Sequence, residues 1–141
     1  MKSSNLAAEF YVASALFRLG YNVTLTLGNA KEIDLLVYNE KTKKTVTIDV
    51  KGSKYTTNWP MPSPKKLSPR RGHFFVLLTF KNKTQDLTSA PDIYVIPSTM
   101  VRKLWSNWSG KSKQKCIAYK KIKNRSDLRG VRGFNQLFKR V

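Results

Sequence analysis

Two alternating runs, Ile33-Asp34-Leu35-Leu36-Val37-Tyr38 and Thr45-Val46-Thr47-Ile48-Asp49-Val50-Lys51, separated by the polar stretch 39–44, constrain this chain more than any other feature. Strand side chains alternate between faces, so Ile48 and Val50 belong to one side and Asp49 and Lys51 to the other. One side is a core face and the other carries charge. Folding the hairpin about the middle of 39–44 sets position 34 opposite position 49. A shared core face fixes that parity, because a one-residue slip would turn every apolar side chain outward. Two carboxylates opposed across an antiparallel pair have Cβ atoms roughly 4.5–5.5 Å apart and repel each other. A cation between them removes the penalty. With only eight acidic residues against 27 basic ones, acids so arranged are not surface filler.

A length of 141 residues suits one domain spanning 1–141, able to bury its core without staples. Hydrophobic and charged contents of 40% and 25% are those of a globular chain. The abnormal quantity is the net charge of +19. Self-repulsion of that size is tolerated most easily when the partner is a polyanion, because each Lys or Arg that neutralises a phosphate releases condensed counterions. Nucleic acid is therefore the expected partner. A membrane is not, since no basic amphipathic helix and no spanning apolar run is visible. Lys2 is followed by the polar Ser3-Ser4-Asn5 where a secretory signal would carry its apolar block, and a cytoplasmic location is expected. Cys116 is alone, which agrees with a reducing compartment, and with His73 as the single histidine a structural zinc site lacks ligands.

Ser3 or Ser4 caps a first helix predicted to reach Leu19, stopped by Gly20, with an apolar stripe of Leu6, Phe10, Ala13, Leu16 and Phe17. Glu9 falls on or beside that stripe, either as a helix-flank charge near the dipole's positive end or as a buried carboxylate that needs a partner. A strand over Tyr21–Leu27 and a break at Gly28-Asn29-Ala30 precede the hairpin. The segment 55–72, with four prolines among Lys65, Lys66, Arg70 and Arg71, reads as a basic loop, too proline-rich for a helix or a central strand. His73–Phe80 reads as a strand buried on both faces, Asp92–Ile96 as another, and Thr99–Trp108 as a helix. From Arg102 onward there are 13 basic residues and one acid, Asp127. Aromatic and apolar residues interleave with that charge, so the region of about 109–141 is expected to pack on a core of about 3–108 and present a basic face.

In chain order the chemistry-bearing residues are Glu9 on a helix, Asp34 on a strand, and Asp49-Val50-Lys51-Gly52-Ser53 on the next. With these, the chain resembles the PD-(D/E)xK nuclease superfamily, and is similar to archaeal Holliday-junction resolvase-type enzymes. The motif support covers about residues 3–54. The resemblance implies an α/β, restriction-endonuclease-like αβββαβ core, with a central mixed sheet flanked by helices and a basic C-terminal extension. It implies metal-dependent endonuclease activity on nucleic acid, DNA before RNA, with branched or junction DNA among the candidate substrates, and a homodimer.

Carried over residue by residue, the resemblance gives Glu9, Asp34, Asp49 and Lys51 the catalytic roles. Asp34 and Asp49 would hold Mg²⁺ or Mn²⁺, the Val50 carbonyl would add a ligand, and Glu9 would act through water or a second ion. Lys51 would orient the attacking water or offset charge on the phosphate. Lys54, Lys65, Lys66, Arg70 and Arg71 become candidates for phosphate contacts. Trp59 either stacks on a base or anchors its own loop, whereas His73, Trp105 and Trp108 read as core. The chain departs from the pattern in carrying Ile33 where Pro is common, and in having the proline-rich loop where many members carry a further helical Gln, Lys or Glu. Glu32 shares a face with Asp34, as an assistant or a solvated edge residue. Two alternatives stay open: a catalytically silent nucleic-acid-binding module on the same fold, and an RNA-cleaving toxin-type nuclease.

Overall fold

The computed structural model describes residues 3–26, 33–109 and 113–139. Leu27, the break at 28–30 and Glu32 lie outside the described residues. Helix α1 (Ser3–Arg18) ends where Gly20 adopts φ +97°, with Tyr21 N–H donating to Leu16 O (3.1 Å) and Gly20 N–H to Phe17 O (3.0 Å). That is the glycine-stopped terminus the sequence predicts.

Strands β1 (Asn22–Leu25), β2 (Leu35–Asn39) and β3 (Lys44–Ser53) form an antiparallel meander. Short β4 (Asn58–Pro60) follows, then β5 (His73–Thr79), which runs parallel to β3, and β6 (Asp92–Pro97), antiparallel to β5. The large sheet has the order β1-β2-β3-β5-β6. The β2–β3 register pairs Leu35 with Ile48 and Asn39 with Lys44, the register expected from symmetric folding of the hairpin. A parallel β3–β5 pair requires a crossover. The αβββαβ order would fill it with a helix; here the proline-rich segment spans it and contributes β4.

A 3₁₀ turn (Ser98–Met100) and α2 (Val101–Leu104) come next, and the expected helix to Trp108 stops there. Trp105 turns extended, and β7 (Ser106–Asn107) pairs with β8 (Lys115–Ala118), so strand pairing takes the last expected helical residues. Strand β8 also pairs with β4, giving a small β4-β8-β7 sheet. Pro60, at the end of an outer strand, loses no ladder bond. Helices α3 (Tyr119–Ile122) and α4 (Gly130–Phe134) complete the fold.

Strand β5 is buried on both faces, as its composition predicts. On one face Val46, Ile48, Val50, Val76 and Val95 pack beneath α1 and against Phe134 and Leu137 of the C-terminal region. On the other, Phe75, Leu77, Tyr94 and Ile96 meet Trp59, Ile117, Ile122 and Leu128. The basic C-terminal region thus contributes to both layers. Gly133 sits so close to Leu128 and Val95 that a Cβ would collide with the Leu128 carbonyl.

The buried stripe of α1 differs from the expected one. Ala8, Val12, Ala13 and Leu16 are buried together with Glu9, while Leu6, Phe10 and Phe17 are exposed. Small Ala8 and Ala13 let the helix lie close on the valine-rich face of β3, and the bulkier residues are displaced to its flanks.

Candidate functional site

Strand β3 differs from β5 in its second face. Val46, Ile48 and Val50 are buried under α1, but Thr47, Asp49 and Lys51 are only half-buried, because the small sheet stacks over β5 and β6. A charged strip beside a packed layer results.

Asp34 stands immediately before β2. Its carbonyl accepts from Thr26 N–H (2.9 Å) and Thr26 Oγ1 (3.1 Å), and its own N–H donates to Ile48 O (2.9 Å). Its carboxylate turns onto β3, where Oδ2 accepts the Val50 N–H at 2.7 Å. One backbone amide that would otherwise meet β2 is thereby satisfied by the side chain. A strand residue's N–H and C=O leave toward the same neighbouring strand. The Val50 carbonyl is therefore directed to the side from which Asp34 approaches.

Asp49 meets this arrangement directly. Burial pushes its carboxyl up to about 8; hydrogen bonding and charge from Asp34 and the Glu9 charge add to the rise, while Lys51 opposes it. The Lys51 Nζ lies 3.8 Å from Asp49 Oδ1, a loose ion pair with both side chains partly exposed. Two carboxyls in hydrogen-bonding contact share either a proton or a cation.

Glu9 is 9% exposed and is part of this group. The sequence leaves open whether it is a solvated flank charge; burial decides for the partnered carboxylate. Asn5, one turn earlier, donates Nδ2–H to Glu9 Oε2 (3.2 Å) and accepts the Gly52 N–H at Oδ1 (2.9 Å). It ties the start of α1 to the end of β3. Sequence reasoning missed Asn5, although its i,i+4 spacing from Glu9 was a usable signal.

Glu9, Asp34, Asp49 and Lys51 thus converge, whereas the basic candidates spread. Lys54, Lys65, Lys66, Arg70 and Arg71 are exposed, and Arg70 and Arg71 line a concavity at the start of β5. Trp59 is 1% exposed, donates Nε1–H to Leu78 O (3.0 Å) and packs edge-on to Tyr94. Its reading as a base-stacking residue is corrected to that of a loop anchor. Stacking a base returns about 1–3 kcal/mol, no more than the burial that extraction would forfeit. Trp105 is half-buried against the second core layer, but Trp108, expected in the core, is 45% exposed because the helix stops short of it. His73 is buried and structural, with Nδ1 2.6 Å from Thr47 Oγ1.

The oxygen-bearing groups at the site are the Asp34 and Asp49 carboxyls, with the Glu9 carboxylate near enough for its charge to act on Asp49. Among the described residues no three Asp, Glu, His or Cys side chains form a ready metal cluster. Among the described residues no helix is long and apolar enough to cross a membrane.

No protein-family model and no curated protein matches the chain. Among solved structures, the fold is similar to that of a bacterial homing endonuclease, I-Ssp6803I, at 14% sequence identity and a TM-score of 0.50, covering 82% of this chain and 72% of that one. At this identity the likeness is one of fold: a mixed α/β architecture with a five-stranded mixed sheet and flanking helices.

Proposed function

We propose that this protein is a metal-dependent endonuclease of the PD-(D/E)xK type that hydrolyses phosphodiester bonds in nucleic acid, DNA in the first instance. The observation that carries the reading is the Asp34–Asp49 pair, held together at the open face of β3 with Lys51 beside it and Glu9 behind it. Folding alone has no use for two adjoining carboxyls, one of them raised by burial. The likeness to a homing endonuclease fold and the net charge of +19 agree with a nucleic-acid substrate.

In this mechanism Asp34 and Asp49 would hold Mg²⁺ or Mn²⁺, joined by the Val50 carbonyl, with Glu9 acting through water. The ion, when bound, supplies Lewis-acid polarisation of the scissile phosphate and lowers the pKa of a coordinated water. Lys51 points from the same face as Asp49 and donates to the attacking water or to a non-bridging phosphate oxygen, where charge builds in the transition state. Asp34 keeps its position through the Val50 amide. Asn5 restrains Glu9, so the carboxylate does not swing to solvent.

The test is incubation with supercoiled, linear, single-stranded and branched DNA, and with tRNA, in Mg²⁺ or Mn²⁺. Cleavage that disappears in Asp49→Asn and falls about 10²–10³-fold in Lys51→Ala supports the proposal. Cleavage unchanged in both variants would sink it. Cutting confined to RNA would change the substrate class, and salt-dependent binding without cleavage of any substrate would identify a catalytically silent binding module.

A further inference from the structure

The start of β5 borders a concavity of about 730 Å³, remote in sequence from the acidic pair. Three separate segments bring cations to it: Arg70 and Arg71 before β5, Lys103 on α2, and Arg132 and Lys139 in the C-terminal region. All five are exposed, and among the described residues none makes an ion pair. The carboxylate in the wall, Asp127, is already engaged by Arg125 through two hydrogen bonds of 3.0 and 2.9 Å. Its charge is shared mainly with Arg125 and in smaller part with Arg132.

Five cations facing a single carboxylate around one hollow repel each other unless an anion joins them. A small-metabolite site would present mostly apolar walls with a few converging polar groups. Here five cations and one carboxylate share the lining with Phe74, Pro97 and Met100, and the cations come from loop, helix and C-terminal region, which is the pattern that follows a phosphate chain. His73 in the wall is pushed down to about 4 by burial and by Arg70, in keeping with a positive field there.

The location relates the hollow to the acidic site. His73 pairs with Thr47, and Thr47 and Asp49 are alternate residues on one face of β3. Two strand steps are about 7 Å, while phosphates along one strand of a duplex recur about every 3.4 Å of axis. A duplex engaged at Asp49 therefore has further backbone phosphates within reach of the hollow.

We infer that this concavity is a phosphate-binding site for the nucleic-acid backbone flanking the scissile bond, with Lys103, Arg132 and Lys139 as its contacts from α2 and the C-terminal region. The inference rests on nucleic acid as substrate but not on cleavage.

Binding of a closed circular duplex and of a linear duplex is measured against salt concentration in EDTA, so catalysis plays no part. The triple variant Lys103→Ala/Arg132→Ala/Lys139→Ala is compared with Lys83→Ala/Lys120→Ala/Lys121→Ala, which removes the same charge elsewhere. The first should lower the slope of log K against log salt by about 2–3 on both DNAs, and the second by less than about 1. Equal slopes for the two triples, or an unchanged slope for the first, would reduce the hollow to diffuse surface charge and overturn the inference. An effect confined to linear DNA would assign the site to a strand terminus, which also overturns it. If the triple variant melts early, Lys103→Ala and Arg132→Ala singly must each lower the slope by about 0.9. The expected slope difference between the two triples, found together with no cleavage in Mg²⁺, would leave this inference standing and remove the endonuclease reading.

Discussion

Asp92 and Asp49 lie on the same sheet and are similarly buried, with side chains 7% and 15% exposed. Asp92 is surrounded by donors from its own chain: Arg129 Nη2 at 2.7 Å, Tyr119 Oη at 3.1 Å and Lys81 Nζ at 3.4 Å. Asp49 faces another carboxyl, and its nearest cation is Lys51 at 3.8 Å. One aspartate is neutralised by the fold. The other has one loose ion pair and a carboxyl raised by burial. A buried carboxylate by itself says little; the source of its compensating charge separates structure from function.

Exchanging roles breaks the comparison most sharply. Asp49→Asn should abolish cleavage, yet leave the fold intact, because a neutral amide takes the place of a carboxyl that burial already keeps protonated. Gel assays in Mg²⁺ and circular dichroism melts report the two effects; loss of folding in Asp49→Asn would mean the pair is structural. Asp92→Ala should do the reverse. It orphans the Tyr119 hydroxyl and frees Arg129, and should cost about 3 kcal/mol, seen as a melting temperature lower by about 6–12 °C. Its residual folded fraction should still cleave.

Divalent ions sharpen the contrast further. Mg²⁺ at a hundred times its dissociation constant should add about 2.7 kcal/mol, or about 6–10 °C of melting temperature. Asp34→Asn and Asp49→Asn should lose that increment, whereas Asp92→Ala should keep it. The smallest expected effect is on pH dependence without metal. Asp49 is raised from 3.8 to about 8 in the folded protein. The native state therefore holds a proton that the unfolded chain has released, and stability falls as pH rises between those values. Solvent screening at this partly open site limits the fall to about 1–2 kcal/mol. Denaturant titrations at pH 5 and pH 8 should show it in the parent protein and not in Asp49→Asn.

Much of the hairpin was legible because strand alternation is strict. Once Val46, Ile48 and Val50 are assigned inward, Asp49 and Lys51 have no freedom of side. The double burial of β5 was equally readable from its uninterrupted apolar composition. The helical stripe was not, since a 3.6-residue period allows several overlapping faces, and the choice between Phe10 and Ala8 depends on how close the sheet lies. Trp59 shows the same limit: a tryptophan in a basic loop has one meaning if β8 lies across it and another if water does.

The local pattern of the chain determined which side chains travel together: Asp34 with the start of β2, Asp49 and Lys51 on one face, Gly20 at the end of α1. Those relations follow from backbone periodicity and steric preference, which act over a few residues. Only the tertiary structure decided that Asn5 ties Glu9 to β3, that Asp92 meets Arg129 while Asp49 meets a second carboxyl, and that cations from 70, 103 and 132 surround one hollow. Those pairings join residues distant in sequence, and their energies depend on burial and on distances that exist once the layers have packed.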